Sequence, residues 1–441
     1  MWQASNKFKA TELFIKGIRS LKKDGLKGTL VKIKRYLTRD EAVVQTESLE
    51  KNEPLVHGYI SFYQDNLDFS NYPNDREIKT LVFYLPQFHT FPENDEWWGT
   101  GFTEWTNTKK AEPRFKNHYQ PRIPHDDIGY YDLSEYKVLI EQAKLAKEHG
   151  IYGFCFYYYW FSGKRLMEKP IDLFLEHKEI DIKFCLCWAN ENWTRTWDGL
   201  ENDVLIEQKY QEDDVLNYVR DIKKYVSDDR YIRIYGKPVF IIYNALALPD
   251  AAKFFKELRF YAKEEGIGDI FIWICKEATH DARENELRKY VDKMVEFPPR
   301  YTGSEPIFLG TIDDGYLVDY KKAVNEHIKK DEVIEKDVYK TAMLGWDNSA
   351  RRRDSYVVFD NFDVKSFYDW VSYNASYTSQ IFGPEERFMF INAWNEWAEG
   401  TYLEPDEKYG YTSINTFSRA LFELGFDENP EYRLEDIQIM E

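Results

Sequence analysis

From Lys79 onward, short apolar runs alternate with stretches in which apolar residues recur at helical spacing, the pattern of parallel strands joined by crossover helices. Eight runs read as strands: Thr80–Leu85, Ile151–Tyr157, Ile182–Trp188, Pro238–Tyr243, Ile270–Ile274, Lys293–Phe297, Thr341–Trp346 and Arg387–Asn392. Helical patterns such as Leu133–His149, Asp250–Glu265 and Phe367–Ser379 fill the gaps. Eight strands separated by helices predict an α/β fold, a closed (β/α)8 TIM barrel over residues 79–426. The pattern before it is different. Residues 1–39 carry two apolar stripes at helical spacing, Phe14 to Leu21 and Leu26 to Leu37, broken at Gly25 and Gly28, with lysines between them. They read as a basic amphipathic helical tail, residues 40–78 as linker and lead-in, and residues 427–441 as an acidic C-terminal tail.

In a barrel of this kind the residues just past each strand converge on one mouth, so their chemistry can be read before the fold is known. The first strand is followed by His89, Trp98, Glu104 and Trp105, and the second by Tyr159 and Trp160. Trp188, Asn190, Glu191 and Trp193 lie at or after the third, Asn244 after the fourth and Glu277 after the fifth. Trp346 and Asp347 close the seventh. The eighth runs into Trp394-Asn395-Glu396-Trp397-Ala398-Glu399, with Glu404 beyond. Carboxyl groups supply acid and base to glycosidic bonds, and flat rings stack on the apolar faces of sugars. A lone E-x-x-E is commonly a solvated pair on a helix surface; interleaved with tryptophans at a strand end, Glu396 and Glu399 are read as catalytic and the other residues named as substrate-binding. Trp394 and Trp397 are expected to wall the pair, desolvating one carboxyl so that it keeps its proton. The run Arg351-Arg352-Arg353 is expected to be a solvated loop, or else a phosphate contact.

Composition narrows the class. Aromatic residues make up 17% of the chain, with 13 Trp and 33 Tyr, which suits a ring-lined cleft for a polyhydroxylated ligand. The net charge of −18 argues against nucleic acid as a partner. Within that total, residues 1–39 count +9, which predicts peripheral contact with an anionic membrane. The chain shows no apolar signal region and no stretch long enough to span a bilayer, so a cytoplasmic location is expected, peripheral to the inner face of the plasma membrane. The four cysteines are read as reduced core residues. No metal site is expected, because His89, His118 and His125 lack helical ligand spacing, and no cofactor, because neither an Asp-x-Asp nor a glycine-rich phosphate loop occurs.

Five ordered motifs, Tyr84–His89, Trp97–Trp105, Phe156–Phe161, Trp188–Trp193 and Asn392–Gly400, resemble the WbsX proteins, described as glycosyltransferases of bacterial surface-polysaccharide assembly. Those are in turn similar to glycoside hydrolase family 99, the endo-acting α-mannosidases and mannanases, (β/α)8 barrels without a metal whose N-E-W-x-E-G turn carries both catalytic carboxyls. That resemblance implies retention through an anhydrosugar, with Glu396 as base toward the sugar 2-hydroxyl and Glu399 as acid/base toward the glycosidic oxygen. It implies a carbohydrate-active enzyme of O-antigen or capsule-type biosynthesis, transferring or trimming a glycosyl unit of an oligosaccharide or lipid-linked glycan. An endo-acting hydrolase of mannan-type glycans and a non-catalytic sugar-binding barrel are the alternatives.

Overall fold

A computed structural model describes residues 62–195, 200–276, 282–300, 308–312, 315–329 and 334–426. The expected basic tail, the acidic C-terminal tail and Glu277 lie outside the described residues. The strands are β1 (Lys79–Tyr84), β2 (Ile151–Phe161), β3 (Lys183–Trp188), β4 (Lys237–Ile242), β5 (Phe271–Cys275), β6 (Lys293–Val295), β7 in two pieces (Val338–Tyr339 and Thr341–Met343) and β8 (Phe388–Asn392). Successive strands pair in parallel from β1 to β6, the first piece of β7 pairs with β6, and its second piece pairs with β8, which returns to β1. These nine parallel segments make a nearly closed barrel whose two ends are separated only by Lys340. Lys340 also joins them, its carbonyl accepting from the Phe390 N–H (2.9 Å) and its ammonium reaching Glu296 (2.9 Å).

The strands are buried on both faces, which is why they read as unbroken apolar runs rather than alternating ones. One face meets the helix layer: α3 (Tyr136–Glu148), α4 (Lys169–Glu176), α5 (Asp214–Val226), α6 (Ala251–Glu264), α7 (Ala282–Leu287), α8 (Tyr320–Lys329), α9 (Val364–Ile381) and α10 (Thr412–Leu421). The other face fills the barrel. There Phe83 packs against Phe297 (4.9 Å between centroids), Phe390 (5.4 Å) and Tyr157 (5.7 Å), a plug of rings that closes the interior beneath the mouth. Residues 62–76 of the lead-in lie along α10, where Asn415 donates to the Asp65 carbonyl (2.9 Å) and Arg76 donates to the Leu421 carbonyl (2.5 Å).

Two departures from the strand pattern shape the mouth. β2 does not end at Tyr157: it continues to Phe161 and folds back as a hairpin onto Lys164–Leu166. Arg165 and Asp172 clamp the hairpin to α4 (3.1 Å), so its last turns rise as one wall of the mouth. The β1 connection, residues 85–135, is long and carries two short helices, α1 (Pro92–Trp98) and α2 (Glu104–Lys110). Pro at the start of α1 and the reciprocal Thr103–Thr106 capping of α2 account for their positions in the chain.

Candidate active site

At the carboxyl ends of the strands lies a cavity of about 370 Å³. Its walls are Tyr157 and Tyr159 of β2, Trp193, Tyr243 and Trp346, and its floor holds Glu396 and Glu399. Glu191 and Arg300 form a rim, with the Arg300 guanidinium over the Tyr243 ring (4.7 Å) and against Glu191 (3.2 Å), which also accepts from Asn244 (2.7 Å).

The two carboxyls leave β8 on a turn whose shape is fixed by buried partners. Asn395 is pinned to β1, accepting from the Leu85 N–H (2.8 Å) and donating to the Leu85 carbonyl (3.0 Å). Asn395 and Glu396 then pair with Thr401 and Tyr402, and Trp397–Glu399 makes a single 3-10 turn that Gly400 ends in the left-handed conformation (φ 64°). Trp397 donates to Glu404 (2.7 Å) and stacks on Tyr402 (3.8 Å). Glu404 also accepts from Tyr131 (2.9 Å) and Gln142 (2.7 Å); burial outweighs these donors and pushes its carboxyl up to about 7. Glu404 is therefore a brace of the turn, and it stands away from the cleft.

Arg351, in the loop after β7, holds the centre of the site. Its Nε and Nη2 donate to one oxygen of Glu104 (2.9 and 2.5 Å), Nη2 also reaches Glu396 (3.0 Å), and Nη1 engages Glu399. Three carboxyls therefore share one guanidinium. Glu104 is fully buried, Glu396 nearly so, and Glu399 has a fifth of its side chain exposed. Burial pushes Glu396 up, Arg351 opposes it, and Glu399 and Glu104 push it up further, to about 8; burial likewise raises Glu104. Burial and two carboxylate neighbours thus favour the protonated form of Glu396, against the pull of Arg351.

The structure does not bring all of the expected residues to the cleft. Tyr159, Glu191, Trp193, Trp346, Glu396 and Glu399 line it. Trp160 and Trp188 do not: both sit in the helix layer, Trp188 stacked on Tyr218 (4.7 Å) and Trp160 edge-on to Tyr218 (5.6 Å). Because β2 continues past Tyr157, its residues alternate, so Tyr157 and Tyr159 face the cleft while Tyr158 and Trp160 face the helices. Trp394 and Trp397 are wholly buried behind the turn and wall nothing; the rings facing Glu396 are Tyr157 and Tyr159, whose hydroxyls are pushed up by burial first and by the neighbouring Glu396 carboxyl second.

His89 is buried on the Pro86 carbonyl (2.9 Å), Trp105 donates to the Tyr131 carbonyl (2.8 Å), and Trp98 packs near Phe102 (5.8 Å). Asn190 ties the β3 and β4 ends together, accepting from the Asn244 N–H and donating to its carbonyl (both 2.7 Å). Asp347 is buried against His118 (2.9 Å) and Gln120 (2.7 Å). The expectation of a solvated Arg351 is overturned as well. Arg300 and Tyr157 are lining groups that the sequence did not single out, and Arg351, expected in a solvated loop or at a phosphate, lines the cleft with them; the signal for its place was a basic residue at a mouth rich in acids. Among the described residues no group of three or more His, Cys, Asp or Glu side chains is placed to hold a metal ion, and no helix is long and apolar enough to cross a membrane.

The profile of the family described as "Glycosyltransferase WbsX" matches residues 80–417, the whole barrel with its mouth. The chain belongs to the WbsX family. WbsX proteins are carbohydrate-active enzymes by that description. Two proteins described as "Uncharacterized protein WxcX", from two strains of Xanthomonas campestris pv. campestris, are 37% identical over 355 residues, covering 79% of this chain and 50% of theirs. The chain thus spans about half the length of the curated relatives it matches. Among solved structures, one described as a glycoside hydrolase-like protein superposes with a TM-score of 0.52 at 15% identity, covering 85% of this chain and 99% of that one. The GH99 endo-alpha-mannosidase from Bacteroides thetaiotaomicron superposes with a TM-score of 0.47 at 13% identity, covering 79% and 97%. The likeness to the hydrolase-like protein is one of fold, the same barrel.

Proposed function

We propose that this WbsX barrel breaks or makes glycosidic bonds with retention, using Glu396 and Glu399 as one acid and one base. Its place is the biosynthesis of a cell-surface polysaccharide of O-antigen or capsule type, on an oligosaccharide or lipid-linked glycan, with residues 1–39 as the contact to an anionic membrane. The observation that carries this reading is the bridge: Arg351 holds the two carboxyls side by side on the floor of a ring-walled cleft. A sugar 2-hydroxyl attacks only when a carboxylate takes its proton, and the departing oxygen needs one delivered, so two carboxyls of unlike protonation are required.

The resemblance assigns the base to Glu396 and the acid to Glu399. A second reading exchanges them, favoured by the burial and the neighbouring carboxylates that push Glu396 up to about 8. Either way, Glu396→Gln and Glu399→Gln should each cost on the order of 10²–10⁴ in turnover of a natural glycan while binding persists. An activated aryl glycoside needs little protonation on leaving, so it should rescue only the variant that lacks the acid. Rescue of Glu399→Gln supports the first reading and rescue of Glu396→Gln the second. Two variants with near-parental turnover would sink both.

A further inference from the structure

Glu104 is the odd member of the central cluster. It has no exposed surface and takes no part in lining the cleft, so it cannot meet a substrate. Yet it lies against the same guanidinium as the reactive pair, on its Nε edge. A guanidinium is a rigid fork, and gripping one edge aims the rest. With Nε and Nη2 held by Glu104, the Nη1 and Nη2 directions fall on Glu399 and Glu396.

The charges add a second consequence. One cation among three ionised carboxyls leaves two uncompensated charges in a water-poor site, and taking up a proton relieves the strain on the cluster as a whole. Groups facing Glu396 include Arg351 from the β7 loop, Glu104 from α2, Glu399 from its own turn, and the hydroxyls of Tyr157 and Tyr159 from β2, and Arg352 and Arg300 line the same cavity. Arg351 is the cation that touches all three carboxyls.

We propose that Glu104 and Arg351 form a positioning unit that fixes the separation of Glu396 and Glu399 and makes the two share a single proton. Its catalytic meaning rests on the reading of that pair given above; its physical content does not. Removing Glu104 takes away a negative neighbour and leaves Arg351 to the other two carboxyls, so Glu396 gives up its proton more easily. Removing Arg351 does the reverse. A merely structural role would not move one titration in opposite directions.

The test uses the full chain labelled with ¹³C at the glutamate carboxyl carbons, the Glu396 signal being the one lost in Glu396→Gln. Glu104→Gln should lower its titration midpoint by about one pH unit or more, and Arg351→Met should raise it by a comparable amount. Arg351→Lys, which keeps a charge but not the fork, should raise it less. A midpoint that stays in place in Glu104→Gln, or moves the same way in Glu104→Gln and in the Arg351 variant, would overturn the proposal. Should Arg351→Met not fold, Glu104→Gln and Arg351→Lys decide it. No substrate enters the measurement, so this unit can fail while glycan turnover depends on the pair, and can hold while it does not.

Discussion

Two buried carboxylate clusters hang from the same loop, and they are built with opposite balance. Asp347, where the chain leaves β7, has Arg122 (3.6 Å), Gln120, Ser349 (2.6 Å) and His118 around a single carboxyl. The Arg114 N–H donates to His118 Nδ1, so Nε2 is the nitrogen that donates to Asp347. Burial alone would raise Asp347, but these donors and the Arg122 charge outweigh it and hold it well below the usual carboxylate range. Four residues on, Arg351 is itself the scarce partner, shared among three carboxyls. Where donors exceed carboxylates the charge is locked and the group is structural; where carboxylates exceed donors a proton stays exchangeable, and the group can do chemistry.

The largest effect should come from emptying the saturated cluster. Asp347→Ala removes the carboxylate that His118, Gln120, Ser349 and the almost fully buried Arg122 share, and breaking such a buried pair costs about 3 to 5 kcal/mol. Denaturant unfolding should show that loss, whereas Glu399→Gln should unfold near the parental midpoint. Equal losses in both would erase the distinction between the clusters. Next in size is the pH dependence. Glu396 titrates near 8 folded against 4.5 in the open chain, so across that window the native state holds a proton that the unfolded state has released. Its contribution to stability falls as pH rises through the window. Asp347 has the opposite sign: its contribution is full above its unfolded value of 3.8 and is lost as pH falls toward its depressed folded value. Thermal unfolding across pH should therefore show Glu396→Gln flattening the decline between about pH 4.5 and 8, and Asp347→Asn flattening the acid limb. A shared limb for both variants would contradict the assignment.

Much of this was legible in the sequence, and the boundary has a physical cause. A barrel strand buried on both faces announces itself as an apolar run, so the eight strands stand close to where the pattern put them. The turn from Asn392 to Gly400 was visible for the same reason, as polar groups following such a run. Rings were harder to place. Tyr157 to Trp160 are four consecutive aromatics, and nothing local says that the strand continues through them and sends alternate rings to the cleft and to the helices. Tryptophans beside the carboxyls proved to be the packing that holds the turn, with Trp397 on Glu404 and Tyr402. Least legible was Arg351, because its meaning lies in partners 247 and 45 residues away. A basic triplet on a loop reads as solvated until the fold brings acids to it.

The smallest expected effect probes the point where the two clusters touch. Gly400 follows Glu399 directly, and the Glu399 carbonyl accepts from the Asp347 N–H (2.7 Å), so the reactive turn is seated on the structural cluster. At φ 64° a side chain is disfavoured by roughly 1 to 2 kcal/mol whatever its surroundings. Here a Cβ would also stand 2.9 Å from the Asp347 Cβ and 3.0 Å from Arg122 Nη2. Gly236, in the tight turn before β4, has a similar φ of 75° and open space where a Cβ would go. Gly236→Ala should therefore show only the conformational cost. Gly400→Ala should show that cost plus the crowding against Asp347 and Arg122, and should lower glycan turnover because the crowding is relieved most readily by shifting Glu399. The difference between the two alanine variants, measured by denaturant unfolding, isolates the contact. If they lose equal stability, the seat under Glu399 is looser than these distances say, and the two clusters act independently.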